Sequence, residues 1–336
     1  MSDATPPRKR PVIDFHVHVV NPDSEAYDES ANHNVLTGFG MRPMAKAKPD
    51  QPGWFFYSRT TDPALQIKEQ QALGIDRHVI SLSTVSQSSW WAEPQRAARL
   101  DRTANERIAQ WVGEHPDHLI GSFTLPMQDM KLALRELDYA VATLGLKVVN
   151  MSSNVGGVYL GDPRFRPFWE AVEGHDLTVW IHPHGVREPH FQEYSLWNGV
   201  GQPIEETMVI ASIIYEGLFE AHPKLKIVIA HGGGYLPHYI GRLDRNYTQH
   251  PVSRKNLKRL PSEYLKCFYF DTCVYSKRTL ENLIDEVGAD RIVLGSDYPV
   301  GEKDPVGFIR QCKNVSPAEL EMITAGTPAK LLGLAA

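Results

Sequence analysis

Two histidines stand two positions apart near the start of the chain, in the run Asp14-Phe15-His16-Val17-His18. Successive side chains of a strand point to opposite faces, so an extended chain places His16 and His18 on the same face. Imidazoles paired in this way can bind a metal ion. Two polar residues at a strand end are the alternative, because a chain with 14 histidines produces this spacing by chance fairly often.

Three further residues with metal-binding side chains come later in the chain. His182, His231 and Asp297 each stand at the end of an apolar run or just after it. The carboxyl ends of the strands in a closed parallel barrel converge on one mouth, where all five side chains would meet. Imidazoles with one carboxylate form the ligand set of catalytic zinc sites that keep a position open for water. The pattern therefore predicts a catalytic metal centre.

The elements that must position these residues alternate between short strands and longer helical patterns along the whole chain. The strand candidates are nearly continuous apolar runs, as is typical of parallel strands that are covered on both sides. This order predicts an α/β fold, a (β/α)8 TIM barrel, forming a single domain over residues 1–336. The predicted strands cover residues 12–16, 77–82, 119–124, 146–151, 177–182, 226–230, 267–272 and 291–295. The predicted helices cover about residues 64–73, 94–114, 129–144, 163–174, 204–221 and 279–287, and Asp62 and Pro63 are the predicted cap and first residue of the first helix.

Two segments that follow strands are longer than ordinary connections. Residues 21–61 lie between the first strand and the first helix and are rich in Gly, Pro and aromatic residues, which predicts a cap inserted over the barrel mouth. Residues 185–203 follow the fifth strand. Residues 1–10 are polar and basic, which predicts a flexible tail and does not fit a secretory signal.

The composition excludes several classes of protein. Apolar residues make up 42% of the chain and charged residues 22%, which are values of globular proteins and not of disordered ones. A net charge of -5 without a dense basic block argues against a nucleic-acid partner. No apolar run is long enough to span a membrane, and three cysteines are too few for a disulfide framework. We therefore predict a cytoplasmic protein that acts on a small molecule.

Taken together, the motifs resemble those of the amidohydrolase superfamily. Asp-x-His-x-His on the first strand, a His after the fifth, His-Gly-Gly-Gly after the sixth and Gly-Ser-Asp-Tyr-Pro after the eighth are similar to one branch of it. That branch contains 2-amino-3-carboxymuconate 6-semialdehyde decarboxylase and related non-oxidative decarboxylases. The resemblance implies a metal-dependent carboxy-lyase for an aromatic or unsaturated, muconate-like carboxylic acid, using metal-bound water or direct coordination of the substrate.

The same resemblance implies a role for each of the five residues. One divalent metal ion would be held by His16, His18, His182 and Asp297, with His231 as the general base. Asp297 would also deliver a proton to the substrate. Three His and one Asp suit Zn²⁺ best, although Mn²⁺, Fe²⁺ and Co²⁺ accept the same ligands.

Lys147 bears on a second interpretation, a metal-dependent hydrolase or hydratase. Many amidohydrolases hold two metals bridged by a carboxylated Lys at the end of the fourth strand. Lys147 lies near the start of its strand, where a surface position is expected. A bridging Lys147 would make His231 a ligand and favour hydrolysis, and the run Asp271-Thr272-Cys273 also resembles the hydratases of this branch.

Three residues are predicted to bind the substrate. Arg242 matches an Arg that the resembling decarboxylase takes from the neighbouring subunit to bind a carboxylate, which implies a homodimer; a salt bridge with Asp244 is the alternative. Trp54 occupies the position of a second carboxylate-binding Arg, which favours a flatter aromatic carboxylate as substrate. Trp197 would stack on a planar substrate or be packed in the protein.

Overall fold

Eight parallel strands follow one another around a barrel in the order of the chain. The computed structural model describes residues 10–23, 47–51, 53–83, 86–186 and 188–334. The strands are β1 (Ile13–Val19), β2 (Arg77–Leu82), β3 (Leu119–Phe123), β4 (Val148–Ser152), β5 (Thr178–His182), β6 (Lys226–Ile229), β7 (Phe268–Asp271) and β8 (Ile292–Val293). The barrel closes where the N–H of Phe15 in β1 donates to the carbonyl of Leu294, just after β8 (2.8 Å). The predicted barrel is confirmed.

Helices fill the connections between the strands. Asp62 caps α2 by accepting the N–H of Leu65, with Pro63 at the first helical position, as the sequence predicts. The helices are α1 (Trp54–Thr61), α2 (Pro63–Ala72), α3 (Pro94–Glu114), α4 (Met130–Ala142), α5 (Arg166–Gly174), α6 (Gln202–Tyr215), α7 (Leu218–Ala221), α8 (Leu236–Tyr239), α9 (Gly241–Gln249), α10 (Lys277–Val287), α11 (Pro305–Arg310), α12 (Pro317–Glu321) and α13 (Thr327–Leu331).

The sequence did not predict two local features. A short antiparallel hairpin pairs Asn154–Val155 with Val158–Tyr159 after β4. Residues 204–221, expected to form one helix, are divided between α6 and α7. The break comes at Gly217, whose φ of 67° lies in the left-handed region that an α-helix cannot continue through.

A β-bulge interrupts β1 in its middle. From Asp14 to Val17 the strand advances three residues, while its partner β2 advances only two, from His78 to Ile80. One residue of β1 is therefore unpaired, and the alternation of its side chains changes phase at this point.

The change of phase turns both predicted histidines of β1 into the barrel. Phe15 and His16 are consecutive, yet both rings lie close to the ring of Trp180, with centroids 6.2 and 4.8 Å away. After the bulge, His18 shares the inward face with His16, whereas Val17 packs into the layer between strands and helices. The fully buried Trp180 lies in the apolar core within the barrel, next to His16.

Parts of two predictions fall outside the described residues. These are the tail over 1–9 and most of the cap segment, 24–46 and 52. The described end of the cap segment is α1, which is joined to the end of β1 by a hydrogen bond from the N–H of Val20 to the carbonyl of Thr60 (2.8 Å). Within the described ranges, no helix is long and apolar enough to cross a membrane.

The contact between β3 and α3 gives a test of the packing around the barrel. A Cβ added at Gly121 would lie 2.6 Å from Cδ2 of Leu146 and 2.9 Å from Cγ2 of Ile108. We expect Gly121→Ala to lower the free energy of unfolding by about 1–3 kcal/mol, because the tightly packed side chains of Leu146 and Ile108 must shift to admit the new methyl group. Gly113→Ala on α3 is the control, since its Cβ meets nothing within 4 Å, and it should keep or raise the wild-type stability because Ala favours a helix by up to about 1 kcal/mol over Gly. Wild-type stability of Gly121→Ala in urea denaturation would contradict this account.

Candidate metal centre and active site

Five side chains predicted to meet at the barrel mouth do so. Nε2 of His16 lies 3.3 Å from Nε2 of His18, and Oδ1 of Asp297 lies 2.9 Å from the latter and 3.2 Å from the former. The ring of His182 has its centroid 4.8 to 5.1 Å from those of the other three histidines. One ligand atom from each of His16, His182, His231 and Asp297 lies within 4.8 Å of the others, a spacing that could hold a metal ion.

The outer nitrogens of His16 and His182 each face a hydrogen-bond acceptor. Nδ1 of His16 lies 2.6 Å from Oδ2 of Asp271, and Nδ1 of His182 lies 2.9 Å from the carbonyl oxygen of Pro183. An ionised carboxylate and a carbonyl oxygen only accept hydrogen bonds, so both Nδ1 atoms carry the proton and Nε2 is directed at the cluster. An orienting contact of this kind is typical of metal-binding histidines.

The charges around the cluster also suit a cation. Burial works against protonation of His16, but Asp297 and Asp271 outweigh burial and raise its pKa to about 9. Burial also works against ionisation of Asp297, yet contacts with the imidazoles hold its pKa well below the ordinary value. A positive charge is therefore stabilised at the point where the Nε2 atoms and Asp297 meet. The donor set and the charge of these residues fit a divalent metal.

His231 differs from the other histidines in its partner. Its Nδ1 lies 2.5 Å from Oε1 of the fully buried Glu206 on α6, and its Nε2 lies 3.7 Å from Oδ2 of Asp297. Burial opposes protonation, but these two carboxylates raise the pKa of His231 well above the ordinary value. Burial raises the pKa of Glu206 to about 7, although His231 acts in the opposite direction. This pair can accept and release a proton beside the metal-binding residues.

Asp14 connects the bulge of β1 to the loop that carries Asp297. Its fully buried carboxylate accepts the N–H of His16 (2.9 Å), the N–H of Ser296 (3.1 Å) and the amide of Gln70 on α2 (3.1 Å). The hydroxyl of Ser296 also donates to it, at 2.5 Å. The aspartate of the Asp-x-His-x-His motif therefore fixes the relative position of residues on β1 and after β8.

Backbone conformation also sets this site apart. His231, Tyr275 and Asp297 have φ angles of 47°, 54° and 57°, in the left-handed region that residues other than glycine rarely adopt. Three of the six such residues in the described ranges thus belong to one cluster. Strain of this kind persists only where the surroundings enforce it, and it concentrates at functional sites.

The three predicted substrate-binding residues are not part of this cluster. Arg242 is exposed on α9, and Asp244, its alternative partner, accepts the N–H of Ser262 (2.9 Å). Trp54 begins α1 and is half-buried, with its ring 6.1 Å from that of Tyr57. Trp197 is half-buried and lies in the segment after β5, where the sequence places it. Their roles remain predictions.

Two other basic residues are engaged elsewhere or lie away from the cluster. Arg59 on α1 forms a two-point ion pair with Glu69 on α2 (2.7 and 3.0 Å), so its guanidinium is already engaged. Lys147 is exposed just before β4, while the carboxyl end of that strand, at Ser152, pairs with His182. Lys147 is thus at the opposite end of the strand from the cluster, which agrees with the surface position expected for it.

Comparison with known proteins decides the family. The sequence profile of the amidohydrolase family matches residues 13–334. The chain belongs to the amidohydrolase family. This amidohydrolase is 33% identical to the 2-amino-3-carboxymuconate-6-semialdehyde decarboxylase of Dictyostelium discoideum, over 96% of the chain and 91% of that protein.

Two solved structures are similar over almost the whole chain. The 5-carboxyvanillate decarboxylase of Sphingomonas paucimobilis is 26% identical, with a TM-score of 0.85 over 97% of this amidohydrolase and 99% of that chain. A dihydroxybenzoic acid decarboxylase of Polaromonas sp. JS666, solved with manganese and the inhibitor 2-nitroresorcinol, is 25% identical, with a TM-score of 0.79 over 96% and 97%. The predictions of the decarboxylase branch and of a metal-dependent carboxy-lyase are confirmed.

Asp271, Glu206 and Tyr275 contact the predicted residues but were not predicted to belong to the site. Asp271 was noted only for its likeness to hydratases, and no motif marked Glu206 or Tyr275. Asp271 is the last residue of β7, at the carboxyl end of the strand like His182 in β5, and that position is a usable signal. Glu206 is on a helix and lies 25 residues before its partner His231, so local sequence gives no sign of the contact.

Glu206 gives a test of how His231 is positioned. We expect Glu206→Gln to lower kcat by about 10- to 100-fold, because the neutral amide keeps the shape but makes the imidazole a weaker base. Metal content, measured by plasma emission spectrometry, should stay at the wild-type value. Glu170→Gln, at an exposed position on α5, is the control. Wild-type kcat in Glu206→Gln would show that the contact has no part in turnover.

Proposed function

We propose that this protein is a non-oxidative decarboxylase of an aromatic carboxylic acid, with one divalent metal held by His16, His18, His182 and Asp297. One observation carries the proposal. Four buried or nearly buried imidazoles and one ionised carboxylate converge at the carboxyl ends of β1 and β5 and just after β6 and β8. Ligand atoms of His16, His182, His231 and Asp297 lie within 4.8 Å of one another, and Nε2 of His18 lies 2.9 Å from Asp297. We further propose Zn²⁺ as the metal, since three His and one Asp suit it best.

The residues divide the chemistry between binding and proton transfer. A divalent metal supplies, when bound, Lewis acidity toward oxygen groups. Asp297 first accepts a proton from protonated His231, whose Nε2 lies 3.7 Å from its Oδ2, and then transfers this proton to the ring carbon that carries the carboxylate group. The bond from this carbon to the carboxylate then breaks, carbon dioxide leaves, and the electron pair of the bond restores the aromatic ring. His231 is the general base, and its Nε2 is close enough to Oδ2 of Asp297 to return a proton to it after a small movement.

Two residues support an aromatic substrate. In the position where the resembling decarboxylase has a carboxylate-binding Arg, this chain has Trp54, whose indole suits a planar ring and gives no charge for a second carboxylate. Arg59, which is close in sequence, is engaged by Glu69. We propose a substrate with one carboxylate near the metal and an aromatic ring toward Trp54 and Trp197, and a role in the catabolism of aromatic compounds in the cytoplasm.

Release of carbon dioxide tests this proposal. The protein, loaded with Zn²⁺ or Mn²⁺, is mixed with a panel of hydroxybenzoates, aminobenzoates and carboxymuconate semialdehydes, and chelated protein is the control. We expect metal-dependent release that is fastest with one of the benzoates. Fastest release from a semialdehyde would contradict the aromatic assignment. No release from any compound, with one metal per chain confirmed, would favour a hydratase or hydrolase.

Arg242 is proposed to bind a substrate carboxylate in the neighbouring subunit of a homodimer. We expect Arg242→Ala alone to be nearly inactive, and we expect activity to return in part when it is mixed with the metal-site variant His182→Ala. Mixed dimers then contain one site with both an intact metal-binding set and Arg242 from the partner. Arg245→Ala, at an exposed position on the same helix, is the control. No recovery in confirmed mixed dimers would contradict the shared site.

A further inference from the structure

Tyr275 combines an unfavourable backbone conformation with a contact to the metal-binding residues. It is a bulky residue with a φ of 54°, and it is 60% exposed, so burial of its ring does not compensate for the strain. The turn is fixed on both sides: the N–H of Val274 donates to the carbonyl of Thr272 (2.9 Å), and Ser276 caps α10. The chain is therefore held so that Tyr275 projects from the end of β7.

The hydroxyl of Tyr275 donates to Oδ2 of Asp297 at 3.0 Å. The other oxygen of Asp297, Oδ1, faces His16 and His18. The two oxygens of this carboxylate thus have different neighbours. Oδ1 is turned to the metal-binding imidazoles, and Oδ2 is turned to Tyr275 and to the more distant Nε2 of His231.

The chemistry of the phenol suits a donor at this point. A phenolic hydroxyl carries its proton at neutral pH and can donate a hydrogen bond to a carboxylate. A hydrogen bond from a neutral donor to an ionised carboxylate is among the stronger ones and fixes the orientation of its acceptor. Partners that orient a metal ligand commonly change metal affinity or activity by 10- to 100-fold when removed.

We propose that Tyr275 is a positioning residue, which holds Oδ2 of Asp297 toward the reacting carbon and keeps Oδ1 directed at the metal. This inference rests on the proposed function, because it assigns Oδ2 as the oxygen that delivers the proton. This contact accounts for the strained backbone of Tyr275. With an ordinary φ at this position, the side chain would point in another direction and its hydroxyl would not reach Asp297.

The test compares Tyr275→Phe with Tyr194→Phe. Tyr194 is a matched control because it also has a left-handed φ, of 55°, and is 88% exposed. For Tyr275→Phe we expect kcat to fall about 10- to 100-fold with KM changed less than about threefold, and the affinity for Co²⁺, followed by its visible absorption, to fall about tenfold. Tyr194→Phe should match the wild type in all three measurements.

The outcomes separate this inference from the proposed function. If the wild type releases no carbon dioxide from any substrate, the proposed function fails, and the Co²⁺ titration alone decides on Tyr275. Wild-type kcat together with wild-type Co²⁺ affinity in Tyr275→Phe would overturn the inference. A raised KM with unchanged kcat would also overturn it, since the residue would then bind substrate and not position Asp297. Thermal unfolding of both variants confirms that they are folded.

Discussion

Replacing His231 by Ala is expected to lower kcat by about 10²- to 10⁴-fold while one metal ion per chain is retained. General base catalysis contributes about this factor, and the variant removes a base and not a ligand in the proposed arrangement. The expectation is not trivial, because His231 lies within 4.8 Å of the same ligand atoms as His16, His182 and Asp297. Metal content and kcat measured on the same preparation therefore distinguish the two roles.

The control for this variant is His250→Ala, at an exposed position after α9. It should keep both the metal and wild-type kcat. Loss of metal from His231→Ala alone would assign His231 to the ligands, and the hydrolase interpretation would gain support. Partial recovery of turnover with added imidazole would support the role of base, because free imidazole can replace the missing side chain of His231.

Replacing Asp297 by Asn is expected to have the largest effect, a loss of at least about 10⁴-fold in kcat. The carboxylate has two proposed tasks, as a ligand through Oδ1 and as a proton donor through Oδ2, and the amide of Asn can neither balance the charge of the metal nor deliver the proton. It can also place its NH2 group, which accepts no hydrogen bond, opposite the hydroxyl of Tyr275.

A titration with metal separates the two tasks of Asp297. With excess Zn²⁺, the Asp297→Asn site should fill, yet kcat should remain about 10²- to 10⁴-fold below the wild type, because the proton donor is still missing. Asp117→Asn, at an exposed position before β3, should behave as wild type. Full recovery of turnover at high metal would leave Asp297 only the role of a ligand.

The positions of the strands and of the five chemical residues could be predicted from local patterns. Strand β2 and helix α3 both have the bounds that the sequence predicts. The spacing of apolar residues and the capping residues that define such bounds can be read from neighbouring positions in the chain. His182, His231 and Asp297 followed from the rule that parallel strands carry chemistry at their carboxyl ends. Strand β1 is longer than predicted and contains both His16 and His18. The strand continues past these polar residues because all of its residues are buried.

The supporting contacts could not be predicted because they join distant parts of the chain. Asp271 meets His16 across 255 positions, and Ser296 meets Asp14 across 282. Such pairs depend on the register of the barrel, which a single sequence does not report. The left-handed conformation of Tyr275 is equally hidden, because a bulky residue gives no signal for a positive φ.

Because of the bulge in β1, a bound metal would stabilise one register of the pairing between β1 and β2. In a regular pairing without the extra residue, Phe15 and Val17 would share a face, and His16 and His18 would point away from the barrel axis. A cation that binds only the inward-facing imidazoles stabilises the bulged register alone, by the free energy of its binding. The ion would thus select among alternative alignments of the first strand, and a chain folding without it would have a smaller energetic preference for the correct one.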